Sequence, residues 1–206
     1  MTALIEVDDI SADLVVMFRN AGRVAVDTET SGLDWRTDKL ELCQLFAPET
    51  GAILVRNVTA RASSLPAVLT DPNILKVFHH AAFDLRFLES TWGVTPRPVA
   101  CTKTASKLLD PGLRPADHSL APLLDRYLNV RIGKGAVRTS DWGAARLTKA
   151  QLDYAESDVI HLLDLLDRQL SALDARGLRE DFTTVCGYLP LDAHFEVAGL
   201  PDPLTY

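Results

Sequence analysis

Residues 23–30, RVAVDTET, are the segment on which we base the predicted fold of this chain. Val24, Val26 and Thr28 alternate along it with Ala25, Asp27 and Glu29. Gly22 precedes it and Ser31-Gly32 follows it, which is the pattern of a β-strand that ends in a turn. Asp27 and Glu29 lie two residues apart near its end, so the two-residue period of a strand directs both side chains to one face. A solvated edge strand would explain this pair, but two like charges beside a buried apolar run favour a cation that joins them.

The rest of the chain predicts an α/β fold in one domain over residues 1–206. After the first strand, residues 40–46 and 52–55 are predicted as two more strands of an antiparallel meander, separated by a turn. Helices are predicted at 63–69, 82–92, 104–109 and 119–128, with short strands at 74–79 and near Val99. This order of elements indicates a mixed sheet that is flanked by helices.

A last long helix is predicted to run from Thr148 to Gly177. The side chain of Thr148 can cap the first turn, Gln151 three residues later completes a capping box, and Gly177 can end the helix. Tyr154 and Asp158 are one turn apart and therefore project from the same side. An exposed polar face would explain this pair as well as a functional site would.

Composition and charge narrow the class of protein. With 47% apolar and 24% charged residues, the chain is expected to form a core that needs neither disulfides nor a structural metal. The net charge of −7 argues against binding to long duplexes, which relies on many lysine and arginine contacts to phosphates. Three widely spaced cysteines, no basic leader and no apolar run of membrane-spanning length predict a cytoplasmic protein without membrane partners.

A further acid, Asp84, opens the helix predicted at 82–92, directly after a strand. Considered alone, an acid at this position is explained by its favourable interaction with the helix dipole. Considered together, the acids follow a defined order along the chain: Asp-x-Glu on a first strand, Asp after a later strand, and Tyr-x-x-x-Asp on a final helix. This combination is far more specific than any of its parts.

In this order and spacing, the chain resembles the DEDD exonucleases that carry tyrosine in their third motif (DEDDy), the ribonuclease D group. The similarity covers residues from about Val24 to Leu170, and Asp153 stands where histidine-type DEDD enzymes carry their histidine. The residues that carry the resemblance are Asp27-Thr28-Glu29-Thr30 with Gly32-Leu33, His79 through Phe83-Asp84, Ser140-Asp141-Trp142, Gln151, and Tyr154 to Asp158.

Two positions depart from the ribonuclease D pattern. His79 stands where many of those sequences have asparagine, and Cys101-Thr102-Lys103 stands where an Asp-Thr pair is common. The chain is also expected to lack the helical C-terminal domains of full-length ribonuclease D. Together with the chain length and the block at 101–108, these features place the resemblance closest to the single-domain nanoRNase C.

The resemblance implies a ribonuclease H-like fold of the DnaQ/DEDD type and a ring-like homo-oligomer. It also implies a 3′-5′ exoribonuclease that converts short single-stranded RNA, dinucleotides in particular, to nucleoside 5′-monophosphates with two metal ions. Four carboxylates without matching bases would repel one another, and two Mg²⁺ or Mn²⁺ ions, which prefer oxygen ligands, would neutralise them. The expected metal ligands and catalytic acids are Asp27, Glu29, Asp84 and Asp158, and Tyr154 would orient the attacking water.

Contacts to the substrate are expected from Thr30, Leu33, His79, Phe83 and Lys134. The resemblance implies that Leu33 packs against a terminal base, although a leucine after glycine in a turn more often packs in a core. His79 is given a supporting role only. Lys134 belongs to the basic loop at 131–138, which suits phosphate contacts and solvation equally well. Gln44 is assigned to the sheet surface and is left out of the catalytic set.

Two other functions remain open from the sequence. A nucleic-acid-binding module could keep the fold and lose activity, but such a loss normally appears as a missing ligand, and all four acids and Tyr154 are present. A proofreading-type or general exonuclease acting on single-stranded DNA is the second alternative, because a carboxylate metal site does not report the identity of the sugar.

Overall fold

The computed structural model describes residues 3–133 and 136–204, and six strands in this part of the chain form one mixed sheet. The order of strands across the sheet is β1-β4-β3-β2-β5-β6. The β2–β3 and β3–β4 pairs are antiparallel and the other pairs are parallel. The strands are β1 (Leu4–Val7), β2 (Arg23–Thr30), β3 (Leu40–Ala47), β4 (Gly51–Arg56), β5 (Leu75–Phe78) and β6 (Val99–Cys101).

Helices flank this sheet, which confirms the predicted α/β class. None of the helices in the described part of the chain is both long enough and apolar enough to cross a bilayer. Short 3₁₀ helices span Pro115–His118 and Ala136–Thr139. The α-helices are α1 (Ala12–Ala21), α2 (Ser64–Thr70), α3 (Ala81–Trp92), α4 (Thr102–Leu109), α5 (Leu120–Leu128), α6 (Lys149–Val159), α7 (Leu162–Ala175) and α8 (Arg179–Val197).

Strand β2 has the bounds that its sequence predicted, and it lies in the interior of the sheet between β3 and β5. Val24, Ala25 and Val26 are fully buried because helices cover both faces of the sheet at this strand. The core around them contains large side chains such as Phe18 of α1. A rigid buried strand therefore leads directly to the two acids at its end.

The prediction of one long helix from Thr148 to Gly177 is wrong. The chain turns at Ile160 and His161 and forms two helices, α6 and α7. The two helices have different neighbours: α6 packs on β2, β3 and β4, whereas α7 packs mainly on α4 and α5. The apolar periodicity continues across the turn, so the pattern carries no signal of it. The predicted capping box is present, with both hydrogen bonds between Thr148 and Gln151.

Three elements were absent from the prediction: β1, α1 and α8. Strand β1 is a mostly exposed edge strand and lacks the alternation that identifies a half-buried strand. Helix α8 contains Gly187 and Pro190, which normally argue against a helix interior. Helix α1 did carry a signal, because Ser11 caps it by accepting a hydrogen bond from the Leu14 amide, and Gly22 ends it with a φ of 67°.

Candidate active site

Two acids of the candidate site come from the end of β2. Asp27 and Glu29 lie on one face of the strand, as its two-residue period predicted. Asp27 lies opposite Gln44 of β3 in the antiparallel pairing. Glu29 lies opposite Leu42, and the register of the two strands shifts between Glu29 and Thr30. The two carboxylates therefore occupy the last regular positions of a buried strand.

A third acid, Asp158, reaches this pair from α6. One carboxylate oxygen from each of Asp27, Glu29 and Asp158 lies within 4.8 Å of the others, which is close enough for one metal ion to contact all three. Tyr154, one turn earlier on α6, forms a hydrogen bond with Asp158. Its ring lies 6.1 Å from that of Trp142, which is almost fully buried in an apolar cluster with Ala155 of α6. The helix thus carries both its acid and its tyrosine to the end of β2.

The fourth predicted acid, Asp84, lies in the first turn of α3 and is outside this group of three. It is buried, and the hydroxyl of Thr28 donates a hydrogen bond of 2.7 Å to its Oδ1 atom. Thr28 stands between the two acids on β2 and points to the opposite face of the strand. Asp84 is nevertheless close enough to Asp27 for its negative charge to raise the pKa of Asp27. The structure therefore places Asp84 next to the group and holds it through Thr28.

Burial and mutual repulsion make the ionised acids unfavourable in the protein alone. Burial raises the pKa of Asp27 well above its ordinary value, and the charges of Asp84, Asp158 and Glu29 raise it further. Burial also raises the pKa of Asp84 and that of Asp158, each to about 7. The pKa of Tyr154 is raised by burial first and then by the neighbouring acids. A bound cation would remove this penalty, because it favours the ionised carboxylates.

The turn after β2 forms one wall of a cavity that Phe83, the residue before Asp84, also lines. The hydroxyl of Thr30 donates a hydrogen bond of 2.5 Å to the carbonyl of Gly32, which fixes the turn. Leu33 follows and is 85% exposed, so it does not pack in the core. Together with Phe83 and Trp35 it lines an open cavity of about 300 Å³. Apolar side chains on both sides of such a cavity suit the flat faces of a nucleobase.

His79 and Lys134 are the two remaining residues that were predicted to contact the substrate. His79 lies at the end of β5, where its Nδ1 atom is 2.9 Å from the hydroxyl of Thr102. Burial lowers the pKa of His79 to about 3, so its ring is neutral and joins β5 to α4. Lys134 lies outside the described residues.

The assignment of Gln44 to the sheet surface is wrong. Its side chain is fully buried, and its Nε2 atom lies 3.5 Å from an oxygen of Asp27 and 3.5 Å from an oxygen of Glu29. A signal was available in the sequence, because Gln44 is a polar residue between the apolar residues Cys43 and Leu45. Its direction depends on the pairing register of β2 and β3, which the pattern within one strand does not specify.

Comparisons with known proteins show the family of the chain. A family described as 3′-5′ exonuclease matches residues 3–173 of the chain. Ribonuclease D of Haemophilus influenzae is 33% identical over 173 residues, which are 82% of this chain and 41% of that protein. The chain spans 41%, 45% and 46% of the lengths of three bacterial ribonuclease D proteins that it matches.

Two solved structures extend the likeness to the fold. Brucella melitensis NrnC superposes with a TM-score of 0.90 at 31% identity, over 100% of this chain and 99% of that chain. Escherichia coli RNase D superposes with a TM-score of 0.80 at 26% identity, over 94% of this chain and 51% of that chain. These superpositions confirm the ribonuclease H-like exonuclease fold. The chain therefore belongs to the 3′-5′ exonuclease family, as a ribonuclease D-like member of the DEDD type.

Proposed function

We propose that this chain hydrolyses short single-stranded RNA from its 3′ end and releases nucleoside 5′-monophosphates. The observation that carries the proposal is the convergence of Asp27, Glu29 and Asp158, whose oxygens lie within 4.8 Å of one another. Asp84 lies beside this group, and Tyr154 is hydrogen-bonded to Asp158. Membership of the 3′-5′ exonuclease family supports the direction of hydrolysis.

The donor set fits divalent metal ions that prefer oxygen ligands, and we propose Mg²⁺ or Mn²⁺. Asp27, Glu29 and Asp158 would hold one ion, and Asp27 together with Asp84 would hold a second. When bound, the ions would supply the positive charge that activates an attacking water and stabilises the leaving 3′-oxygen. The structure of Brucella melitensis NrnC with bound Mg²⁺ supports this choice of metal.

The side chains of this chain would hold the reacting groups in place. The Tyr154 hydroxyl, which is fixed by Asp158 and by the packing of its ring near Trp142, would orient the attacking water. Leu33 and Phe83 would contact the terminal base in the cavity that they line. Thr30 would keep the turn in the conformation that presents Leu33. Lys134 remains a proposed phosphate contact.

Very short RNA, dinucleotides in particular, is the substrate class that we propose. The net charge of −7 disfavours the long phosphate tracks that extended nucleic acid requires, and the cavity of about 300 Å³ suits a single base. The structure of Brucella melitensis NrnC bound to pGG supports a short substrate. A ring-like homo-oligomer is part of the proposal, and the exposed apolar side chains of the edge strand β1 (Leu4, Ile5 and Val7) would suit a subunit contact.

The preference for short RNA is tested with 5′-phosphorylated RNAs of two to twenty nucleotides and with the matching DNAs, each with Mg²⁺, with Mn²⁺ and with chelator. We expect kcat/KM for the dinucleotide to equal or exceed that for the twenty-nucleotide strand, because no long binding track contributes. Mass measurement in solution should show an oligomer. Efficiency that rises steadily with length, or a fully active monomer, would contradict the short-RNA proposal. Faster hydrolysis of the DNA series would contradict the choice of RNA.

The proposed base contact is tested by Leu33→Ala. Loss of the apolar contact should raise KM for a dinucleotide about tenfold, which corresponds to about 1.4 kcal/mol. The melting temperature should not change, because the Leu33 side chain is 85% exposed. Leu204→Ala is the matched control, since Leu204 is 65% exposed and does not line the cavity. An unchanged KM in Leu33→Ala would remove this residue from the substrate site.

A further inference from the structure

Gln44 brings one amide group to both acids of β2. It lies opposite Asp27 on β3, and its side chain has no exposed surface. Its Nε2 atom is 3.5 Å from Asp27 Oδ2 and 3.5 Å from Glu29 Oε1. Both distances are at the long limit for hydrogen bonds, so the amide spans the two carboxylates and is bound tightly to neither. We propose that Gln44 is a positioning residue, whose amide orients Asp27 and Glu29 so that both present oxygens to a divalent cation.

The surroundings of Gln44 indicate that packing alone does not explain an amide at this position. Its neighbours across the same face of the sheet, Leu42 and Leu54, belong to an apolar cluster with Trp142. The Oε1 atom of Gln44 is buried and has no hydrogen-bond partner among the described residues. A buried polar atom without a partner destabilises a protein, and an apolar side chain of similar length would avoid this cost. The favourable contacts of the amide are therefore those to the acids.

The orientation and the charge of the amide both suit this role. The Nε2 group donates hydrogen bonds, whereas Oε1 in its place would repel the two carboxylates, so the contacts define which end of the amide faces the acids. A lysine here would neutralise one carboxylate and compete with a cation, and a glutamate would add another negative charge. Glutamine donates hydrogen bonds and leaves unchanged the negative charge of the two carboxylates, which the cation requires. This inference rests on the proposed function, because it assumes that the acids bind metal.

The test compares two buried glutamines that differ in their distance from the acids. Gln44→Met removes the amide and keeps a side chain of similar length. Gln169→Met is the matched control, because Gln169 is also fully buried, also has an unpartnered Oε1, and donates from Nε2 to the carbonyl of Thr102. Mn²⁺ binding to metal-free protein is measured by calorimetry, and thermal unfolding is followed in chelator and in Mn²⁺.

We expect Gln44→Met to weaken Mn²⁺ binding by about 10- to 100-fold, as is typical when a group that orients metal ligands is lost. Its melting temperature in chelator should be unchanged or higher, and KM for a dinucleotide at saturating Mn²⁺ should stay near the wild-type value. Gln169→Met should bind Mn²⁺ as tightly as wild type. Should Gln44→Met fail to fold, Gln44→Asn replaces it, since its shorter side chain withdraws the amide from the acids and should also weaken binding.

Wild-type Mn²⁺ affinity in the folded Gln44 variant would overturn the inference, and so would an equal loss in Gln169→Met, which would indicate a general packing effect. These outcomes are distinct from failure of the proposed function. A wild-type protein that binds Mn²⁺ but hydrolyses no RNA would contradict the proposed function, while the comparison of affinities would still decide the role of Gln44. A wild-type protein that binds no Mn²⁺ would overturn both.

Discussion

Asp27→Ala is expected to reduce RNA hydrolysis on the order of 10³-fold or more, because loss of a metal ligand removes several kcal/mol of transition-state stabilisation. The fold should survive this change. The pKa of Asp27 is raised by burial and by the neighbouring acids, so its charge is unfavourable in the metal-free protein. Its removal should therefore leave the melting temperature in chelator unchanged or higher. Glu29→Ala, Asp84→Ala and Asp158→Ala should behave in the same way.

The measurements for this prediction are single-turnover hydrolysis and thermal unfolding with and without Mg²⁺. Asp153→Ala is the matched control, because Asp153 is on the same helix as Asp158 but is exposed and pairs with Lys149. It should retain wild-type turnover and lose at most about 0.5 kcal/mol of stability, the usual magnitude for such a surface pair. An acid variant that keeps wild-type turnover would remove its residue from the proposed site.

Tyr154→Phe is expected to slow the chemical step about 10²-fold and to leave Mn²⁺ affinity nearly unchanged. Only the hydroxyl is lost, and proton positioning of this kind contributes on the order of 10² to 10⁴ in rate. The ring should keep its place, because its packing 6.1 Å from Trp142 does not involve the hydroxyl. Single-turnover rates at saturating metal and calorimetric Mn²⁺ titrations measure the two effects separately.

The two measurements on Tyr154→Phe also show what would contradict the proposed role. If metal affinity falls as much as the rate, the hydroxyl acts on the metal site through Asp158, to which it is hydrogen-bonded. If neither changes, Tyr154 does not take part in hydrolysis. Tyr127→Phe serves as the control, because Tyr127 is on α5 and packs against a different part of the core.

The parts of the site that the sequence predicts are those that depend on local periodicity. Asp27 and Glu29 share a face because strand side chains alternate, and Tyr154 and Asp158 share a side because helical residues four apart are neighbours. The bounds of β2 followed from the same alternation. These relations hold within one element and need no knowledge of the tertiary structure.

The features that were missed depend on contacts between elements. The direction of Gln44 requires the register of β3 against β2, which the pattern within one strand does not specify. The turn at Ile160 and His161 separates two helices with different neighbours, yet the apolar periodicity continues through it. Tertiary packing determines each of these features, so they could not be predicted from the pattern within one element.

Metal-dependent hydrolysis from the 3′ end is tested most directly by product analysis with a short RNA labelled at its 5′ end, incubated with the purified protein in Mg²⁺ and in chelator. In Mg²⁺ we expect the labelled strand to shorten by one nucleotide at a time from its 3′ end, with release of nucleoside 5′-monophosphates. Hydrolysis should stop in chelator and in Asp27→Ala. Hydrolysis that continues in chelator, or products that carry a 3′-phosphate, would contradict a metal-dependent 3′-5′ exonuclease at these acids.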